Sequence, residues 1–266
     1  MAVIDHTNGT FFVLLAIFIA FAFAFWLIFR KTSEKTRRIA VAALYIAGFA
    51  FFWLYKYWIS IDEAYSVITA EAGKGAFSWW SELPLHLCNI NLMLLPIAVL
   101  SRNRSLLSFV FFMAPFGAIF AMVMPDVGFY GFSLFEPRVF GYFVTHMLIL
   151  VSSLILGLLD LYRPKFRDIP MTMVYAFGIS FIVFGINMLF RATHVNDFAN
   201  YFYTVVPPDG TPLVFFHKLI PVPYLYMIPV MLFLPVYMAL VTLPFHLAAK
   251  KKEKEAVPEQ TEAKAV

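Results

Sequence analysis

The chain has 266 residues, of which 62% are hydrophobic and only 14% are charged. Soluble domains are close to half apolar and a quarter charged, so this composition excludes an ordinary soluble globular protein. The formal net charge is +4, but the basic residues punctuate apolar runs instead of clustering on one surface, which argues against a nucleic-acid partner.

Seven apolar segments are each long enough to cross the membrane as a helix, which takes about 20 residues. The first follows residues 1–10, which contain no lysine or arginine, so it is predicted as a span and not as a cleaved signal. Helices are expected because lipid cannot satisfy the open edge of a sheet. In chain order, the predicted spans are residues 11–29, 39–59, 83–100, 105–124, 139–159, 170–190 and 223–247. The predicted fold class is therefore all-α, a polytopic membrane bundle of seven transmembrane helices.

The basic residues of the loops predict how this bundle is oriented. Fifteen of the twenty lysines and arginines lie between spans one and two, three and four, or five and six, or follow span seven. All four segments fall on one side of the membrane, and the positive-inside rule assigns that side to the cytoplasm. The N-terminus is then outside and the C-terminus inside.

The chain is predicted to divide at the end of the last span. Residues 1–249 form the bundle, whereas residues 250–266 are charged, lack aromatic side chains and are expected to be a disordered cytoplasmic tail. The predicted location is the cell membrane, as a multi-pass protein.

Polar side chains inside a span are costly unless they are paired, so they are candidates for function. The densest group lies between Ser81 and Asn91, at the outer start of the third span. Ser81 is expected to cap this helix, and Pro84 is expected in its first turn, where a missing N–H costs little.

Helical spacing divides this group between two faces. At about 100° per residue, Cys88 and Asn91 share one face, and His86 points almost opposite to Cys88. A histidine that activates Cys88 should therefore come from another span. His146, about two turns into the fifth span, is the candidate.

Each of these residues also has a purely structural interpretation. A lone membrane cysteine is usually a small packing residue, and His146 is more often a hydrogen-bonded packing residue than a catalyst. Asn91 and Asn187 are commonly polar contacts between helices. A zinc site formed by His86, His146 and an outer-loop histidine is a further alternative, although no histidine pair has the i, i+4 spacing of helical zinc sites. No metal ligand and no cofactor is assigned.

The element Leu83-Pro84-Leu85-His86-Leu87-Cys88, in a seven-span chain, resembles the YwaF-like family of bacterial integral membrane proteins. That family is related to the eukaryotic transmembrane protein 164 family. His146 resembles the histidine of its fifth span. The stretch from Asn187 to Tyr203 and the later Pro-Val-Pro-Tyr at 221–224 resemble its asparagine and Asn-Tyr elements. The resemblance covers roughly residues 40 to 247.

The eukaryotic relatives are described as acyltransferases that move fatty acyl groups between phospholipids with a cysteine and a histidine. The resemblance therefore implies a lipid acyltransferase in which Cys88 and His146 are catalytic and a thioester is the intermediate. It implies that His86, Asn91 and Asn187 bind the oxyanion or the lipid headgroup. Membrane phospholipids are the implied partners, and no protein partner is assigned.

A different class of function fits the same polar residues. A non-enzymatic transporter, or a protein that binds a lipid or small molecule, would use them to line a polar cavity in its outer half. An enzyme needs the side chains of Cys88 and His146 within hydrogen-bond reach, whereas a carrier needs only the cavity.

Overall fold

The computed structural model describes residues 2–5, 7–73, 75–125 and 128–262 of the chain. It confirms the predicted all-α class. The one sheet in this part of the chain pairs two short antiparallel strands, Val3–Ile4 (β1) and Phe132–Ser133 (β2). The helices are Gly9–Phe29 (α1), Glu34–Ser60 (α2), Glu63–Glu71 (α3), Leu87–Ser101 (α4), Arg104–Val123 (α5), Pro137–Leu150 (α6), Ser152–Leu158 (α7), Ile169–Ala192 (α8), Pro212–Leu219 (α9) and Ile228–Glu262 (α10).

Among the residues that the structure describes, six helical segments are long and apolar enough to cross a membrane, where the sequence predicts seven spans. They are Gly9–Phe29, Glu34–Ser60, Arg104–Val123, Pro137–Leu158, Phe166–Ala192 and Leu225–Lys251. The third predicted span corresponds to α4, an apolar helix of 15 residues. At 1.5 Å per residue α4 is about 22 Å long, which is less than the ~30 Å of a hydrocarbon core.

The start of α4 corrects a prediction. Ser81 does not cap this helix, which begins at Leu87 with His86 in the N-cap position. Pro84 disfavours a helical Leu83 and therefore a helix that begins at Ser81. Pro84 itself lies before α4, so its predicted place in the first turn is also wrong. The chain turns instead, with the Leu85 N–H bonded to the Leu83 carbonyl at 2.7 Å. Cys88 consequently lies in the first turn of a helix and not in its second.

The core of the fold lies between α2, α4, α5 and α6, which contact one another. Its largest buried side chains are aromatic and include Tyr45, Phe52, Tyr55, Phe109, Phe112 and Phe143. Helices α2 and α6 approach closely at Gly141, where an added methyl carbon would lie 2.2 Å from the Cβ of Tyr55. This approach places the middle of α6 against the α2–α4 pair.

The loops that carry the basic residues meet at one end of the bundle. Arg37 donates to the Leu159 carbonyl at 2.5 Å, and Arg38 donates to the Val99 carbonyl at 2.9 Å. These contacts join the start of α2 to the ends of α4 and α7, as expected for loops on one side of a membrane. The last helix, α10, continues without a break from residue 249 to residue 250, where the sequence predicts that the bundle ends and the tail begins. The division into bundle and tail therefore stays a prediction.

Candidate functional site

Cys88 and His146 contact each other across the interface between α4 and α6. His146 Nε2 lies 3.3 Å from Cys88 Sγ. Both residues are buried, with exposed fractions of 8% and 3%. The sequence predicts that a histidine partner of Cys88 comes from another span, and the structure brings this pair together.

A backbone carbonyl determines which nitrogen of His146 carries a proton. Nδ1 lies 2.7 Å from the carbonyl oxygen of Tyr142, and a carbonyl can only accept a hydrogen bond. Nδ1 therefore carries the hydrogen, and in the neutral ring Nε2 is left as an acceptor that faces the Cys88 thiol. The Tyr142 ring packs against the imidazole with a centroid separation of 4.2 Å and helps to hold this orientation. The arrangement is that of a nucleophile beside a general base.

Cys88 lies in the first turn of α4, where backbone hydrogen-bond donors are unpartnered. The first N–H groups of a helix have no intrahelical partner and carry the positive end of its dipole. Cys88 and Asn89 are the second and third residues of α4, so their backbone N–H groups are among these unpartnered donors. The Asn89 side-chain oxygen is 3.7 Å from Cys88 Sγ and can accept from the thiol. These donors can stabilise negative charge on the sulfur or on an oxygen bound close to it.

Lys56 is a residue near this pair that sequence reasoning missed. It lies within α2, is 7% exposed, and its Nζ is 2.5 Å from the Glu82 carboxylate. Its Nζ also lies 4.6 Å from the centroid of the Tyr55 ring. The signal in the sequence is a lone lysine inside the second predicted span, since an ionisable residue within a membrane span marks a candidate site.

His86 contacts a different part of the structure from Cys88. Its Nδ1 accepts a hydrogen bond from the Phe202 backbone N–H at 3.3 Å. Its ring packs against the rings of Tyr201 and Tyr203. His86 therefore joins the start of α4 to the short turn Tyr201–Tyr203.

Asn187, on α8, holds the same turn. Its Nδ2 donates to the Tyr201 carbonyl and to Thr204 Oγ1, both at 2.8 Å, and its Oδ1 accepts from the Tyr201 N–H at 3.0 Å. Phe202 and Tyr203 have φ values of 60° and 53°, a region that residues other than glycine rarely adopt. A backbone conformation of this kind persists only where the surrounding structure fixes it, and the hydrogen bonds of Asn187 hold the turn in place. The predicted substrate-binding roles of His86 and Asn187 stay predictions.

Asn91 differs from Asn187 because only the nitrogen of its side-chain amide forms a hydrogen bond. It is fully buried, and its Nδ2 donates to the Leu87 carbonyl at 2.8 Å. Its Oδ1 accepts no hydrogen bond from any described residue. The hydroxyl of Thr145, the residue before His146, also has no hydrogen-bond partner among the described residues. Buried polar atoms are normally paired, so both atoms keep unused hydrogen-bonding capacity, and the predicted substrate-binding role of Asn91 stays a prediction.

Two observations bear on the alternatives to a cysteine–histidine pair. Across the described ranges, no three His, Cys, Asp or Glu residues lie close enough to hold a metal ion. A cavity of about 460 Å³ opens between the end of α2 and the start of α6, near Asp62, Glu63 and Arg138. None of the polar residues predicted to line a carrier's cavity lines this one.

The model of the TMEM164 family matches residues 4–242, which include both members of the pair and Lys56. The chain therefore belongs to the TMEM164 family. No curated protein and no solved structure matches the chain.

Proposed function

Taking membership of the TMEM164 family as the premise, we propose that this multi-pass membrane protein transfers fatty acyl groups between phospholipids through a thioester on Cys88. The observation that carries the proposal is the 3.3 Å contact between Cys88 Sγ and His146 Nε2. Covalent acyl transfer needs a nucleophile and a base at this separation. We also propose that the chain belongs with the YwaF-like bacterial proteins within this family and that it lies in the cell membrane.

We propose that the bundle crosses the membrane seven times, with α4 and the turn before it as the third crossing. The Glu82 side chain contacts Lys56 near one end of α2, and the Val99 carbonyl contacts Arg38 near the other. The helix rises about 27 Å from residue 38 to residue 56, so residues 82–99 extend over almost a full hydrocarbon thickness. With the basic loops in the cytoplasm, Cys88 lies in the outer half of the membrane.

The first half-reaction forms the thioester. His146 Nε2 takes the thiol proton, and the sulfur of Cys88 attacks the carbonyl carbon of a phospholipid ester. The carbonyl electron pair moves onto oxygen, where the N–H groups at the start of α4 and the ammonium of Lys56 stabilise the negative charge. The ester C–O bond then breaks, and the imidazolium of His146 returns its proton to the leaving alcohol. The products are an acylated Cys88 and a lysophospholipid.

The second half-reaction reverses these steps with a new alcohol. His146 takes a proton from the hydroxyl of an acceptor lipid, and that oxygen attacks the thioester carbonyl carbon. The C–S bond breaks, the sulfur leaves as a thiolate, and His146 returns the proton to it. The acceptor carries the acyl group away, and the pair regains its starting state.

Acyl exchange in a defined membrane tests the proposal. The purified protein in nanodiscs receives a phosphatidylcholine with a labelled acyl chain and an unlabelled lysophospholipid. We expect the wild type to transfer label, and Cys88→Ala and Cys88→Ser to lose at least about 100-fold in rate. Met188→Ala, at an exposed position on α8, is the matched control and should retain the activity.

Two outcomes would contradict the proposal in different ways. Undiminished transfer in Cys88→Ala would exclude covalent catalysis and leave His146 as a base that acts on the acceptor directly. Absence of transfer from a folded wild type, with every lipid tested, would favour the carrier or binding class.

A further inference from the structure

A second polar cavity lies at the opposite end of α4 from Cys88. Its volume is about 380 Å³, and one acidic residue, Asp160, lines it together with five basic side chains from three separate parts of the chain, Arg38, Arg102, Arg104, Arg163 and Lys165. We call these five residues and the space between them the basic cavity. Cys88 and Arg102 are 14 residues apart, or about 21 Å along the helix, so this cavity is separate from the candidate acyl-transfer site.

Three of the five basic side chains are neutralised by carboxylates. These ion pairs are Arg38–Glu34 at 2.7 Å, Arg104–Asp168 at 2.6 Å and Arg163–Asp160 at 2.6 Å. Arg102 and Lys165 are exposed and form no ion pair within the described part of the chain. The basic cavity therefore keeps an excess of two positive charges.

Asp168 fixes the geometry of one wall of the basic cavity. Its carboxylate accepts two hydrogen bonds from the Arg104 guanidinium, one from the Tyr162 hydroxyl at 2.8 Å and one from the Lys165 backbone N–H at 2.9 Å. Arg104 also donates to the Arg163 carbonyl at 3.2 Å. The loop that carries Lys165 is thus tied to the start of α5, directly after Arg102.

The positive-inside rule explains why these loops are basic, but it does not explain why they converge. A topological signal needs only charge near the ends of the spans. Here residues from the loops between spans one and two, three and four, and five and six line one concave space. The carboxylates leave the charges of Arg102 and Lys165 uncompensated, and an anion in the cavity would reduce the repulsion between these two.

We propose that the basic cavity binds a phosphate group, either from the headgroup of an anionic phospholipid or from a free phosphate compound. A phosphodiester carries one negative charge and a phosphomonoester nearly two, which complements the excess on Arg102 and Lys165. Arginine and lysine are the side chains that bind phosphate oxygens best. The cavity opens where the headgroups of the anionic cytoplasmic leaflet lie when the basic loops are inside. The inference does not depend on acyl transfer.

Binding to the purified full-length protein in a neutral detergent tests this inference. The probes are phosphatidylglycerol, phosphatidylcholine and inorganic phosphate, with lipid binding followed by native mass spectrometry and phosphate binding by calorimetry. The test variant is R102Q/K165Q, and the matched control is K31Q/K35Q, which removes two exposed lysines from the same end of the bundle, outside the cavity. We expect wild type and control to bind alike and R102Q/K165Q to bind at least about tenfold more weakly.

The probes distinguish the two sources of the phosphate group. Binding of phosphatidylglycerol in preference to phosphatidylcholine, without binding of inorganic phosphate, identifies a lipid headgroup. Binding of inorganic phosphate with the same dependence on Arg102 and Lys165 identifies a free phosphate compound. Equal losses in R102Q/K165Q and K31Q/K35Q, or no binding of any probe by the folded wild type, would overturn the inference.

Discussion

His146 Nε2 faces Cys88 Sγ at 3.3 Å, while Nδ1 of the same ring donates to the Tyr142 carbonyl one turn earlier on α6. The carbonyl fixes the tautomer, and the tautomer presents an unprotonated nitrogen to the thiol. A histidine that only fills space in the core would need neither this ring orientation nor a thiol beside its Nε2. The relationship therefore predicts that the imidazole controls how readily the thiol reacts.

The reactivity of Cys88 should depend on His146. Because Cys88 is the single cysteine of the chain, iodoacetamide alkylation reports on it alone. We expect His146→Ala to slow alkylation at neutral pH by about tenfold or more, since the thiol loses its proton acceptor. His246→Ala is the control and should react like wild type. It removes a ring that contacts Phe166, in the short turn just before α8. Equal rates in wild type and His146→Ala would show that the imidazole does not activate the thiol.

The ion pair between Lys56 and Glu82 should be strongly coupled in stability. Removing one partner leaves a buried charge without its counter-ion, which costs about 3–5 kcal/mol of unfolding free energy. We therefore expect Lys56→Met and Glu82→Gln each to destabilise the protein by about that amount, and the double variant to lose less than the sum of the two. Thermal unfolding in detergent measures this cycle.

Acyl transfer by the same variants separates a structural from an electrostatic role of Lys56. If the ammonium stabilises the oxyanion, the double variant recovers stability without recovering activity. Recovery of both together would restrict Lys56 to a structural role, and additive destabilisation would contradict the coupling itself.

Replacing Asn187 should destabilise the turn Tyr201–Tyr203. Asn187→Ala removes three hydrogen bonds that hold a backbone with two positive φ values, and we expect a loss of at least about 2 kcal/mol in unfolding free energy. Met188→Ala, at the next position on α8 but exposed, should lose less than about 0.5 kcal/mol. Similar unfolding temperatures for the two variants would contradict the role assigned to the amide.

Part of this site could be predicted from sequence because helical geometry is local. The period of the helix separates His86 from Cys88, and few histidines lie deep in the predicted spans, so His146 follows as the partner. The capping preference of Ser81 did not decide where α4 begins, because Pro84 disfavours a helical Leu83 and the helix starts only at Leu87.

The contacts that sequence reasoning missed are long-range. Lys56 lies in an otherwise apolar span, and its partner Glu82 is 26 positions away, just before the third predicted span. His86 and Asn187 meet at residues 201–204 only because three elements fold together. No periodicity within one helix reports such a contact, since it depends on how the helices pack.

Reporter fusions test the proposed seven crossings and their orientation. A reporter that is active only in the cytoplasm should be silent when fused after Gly73 and active when fused after Arg102 or Lys254, because the positive-inside rule places the basic loops inside. The first two sites flank α4 and the turn before it. If they report the same side, α4 does not cross the membrane, and inactivity after Lys254 would reverse the assigned orientation.

The most direct test of the account is the mass of Cys88 after exposure to a phospholipid. The purified wild type is incubated with phosphatidylcholine of a single acyl composition, quenched in acid and analysed by intact mass spectrometry. The account predicts a mass increase of one acyl group on Cys88, released by neutral hydroxylamine as expected for a thioester and absent from Cys88→Ala. An adduct that persists in Cys88→Ala, or acyl transfer by a wild type that never carries an adduct, would contradict it.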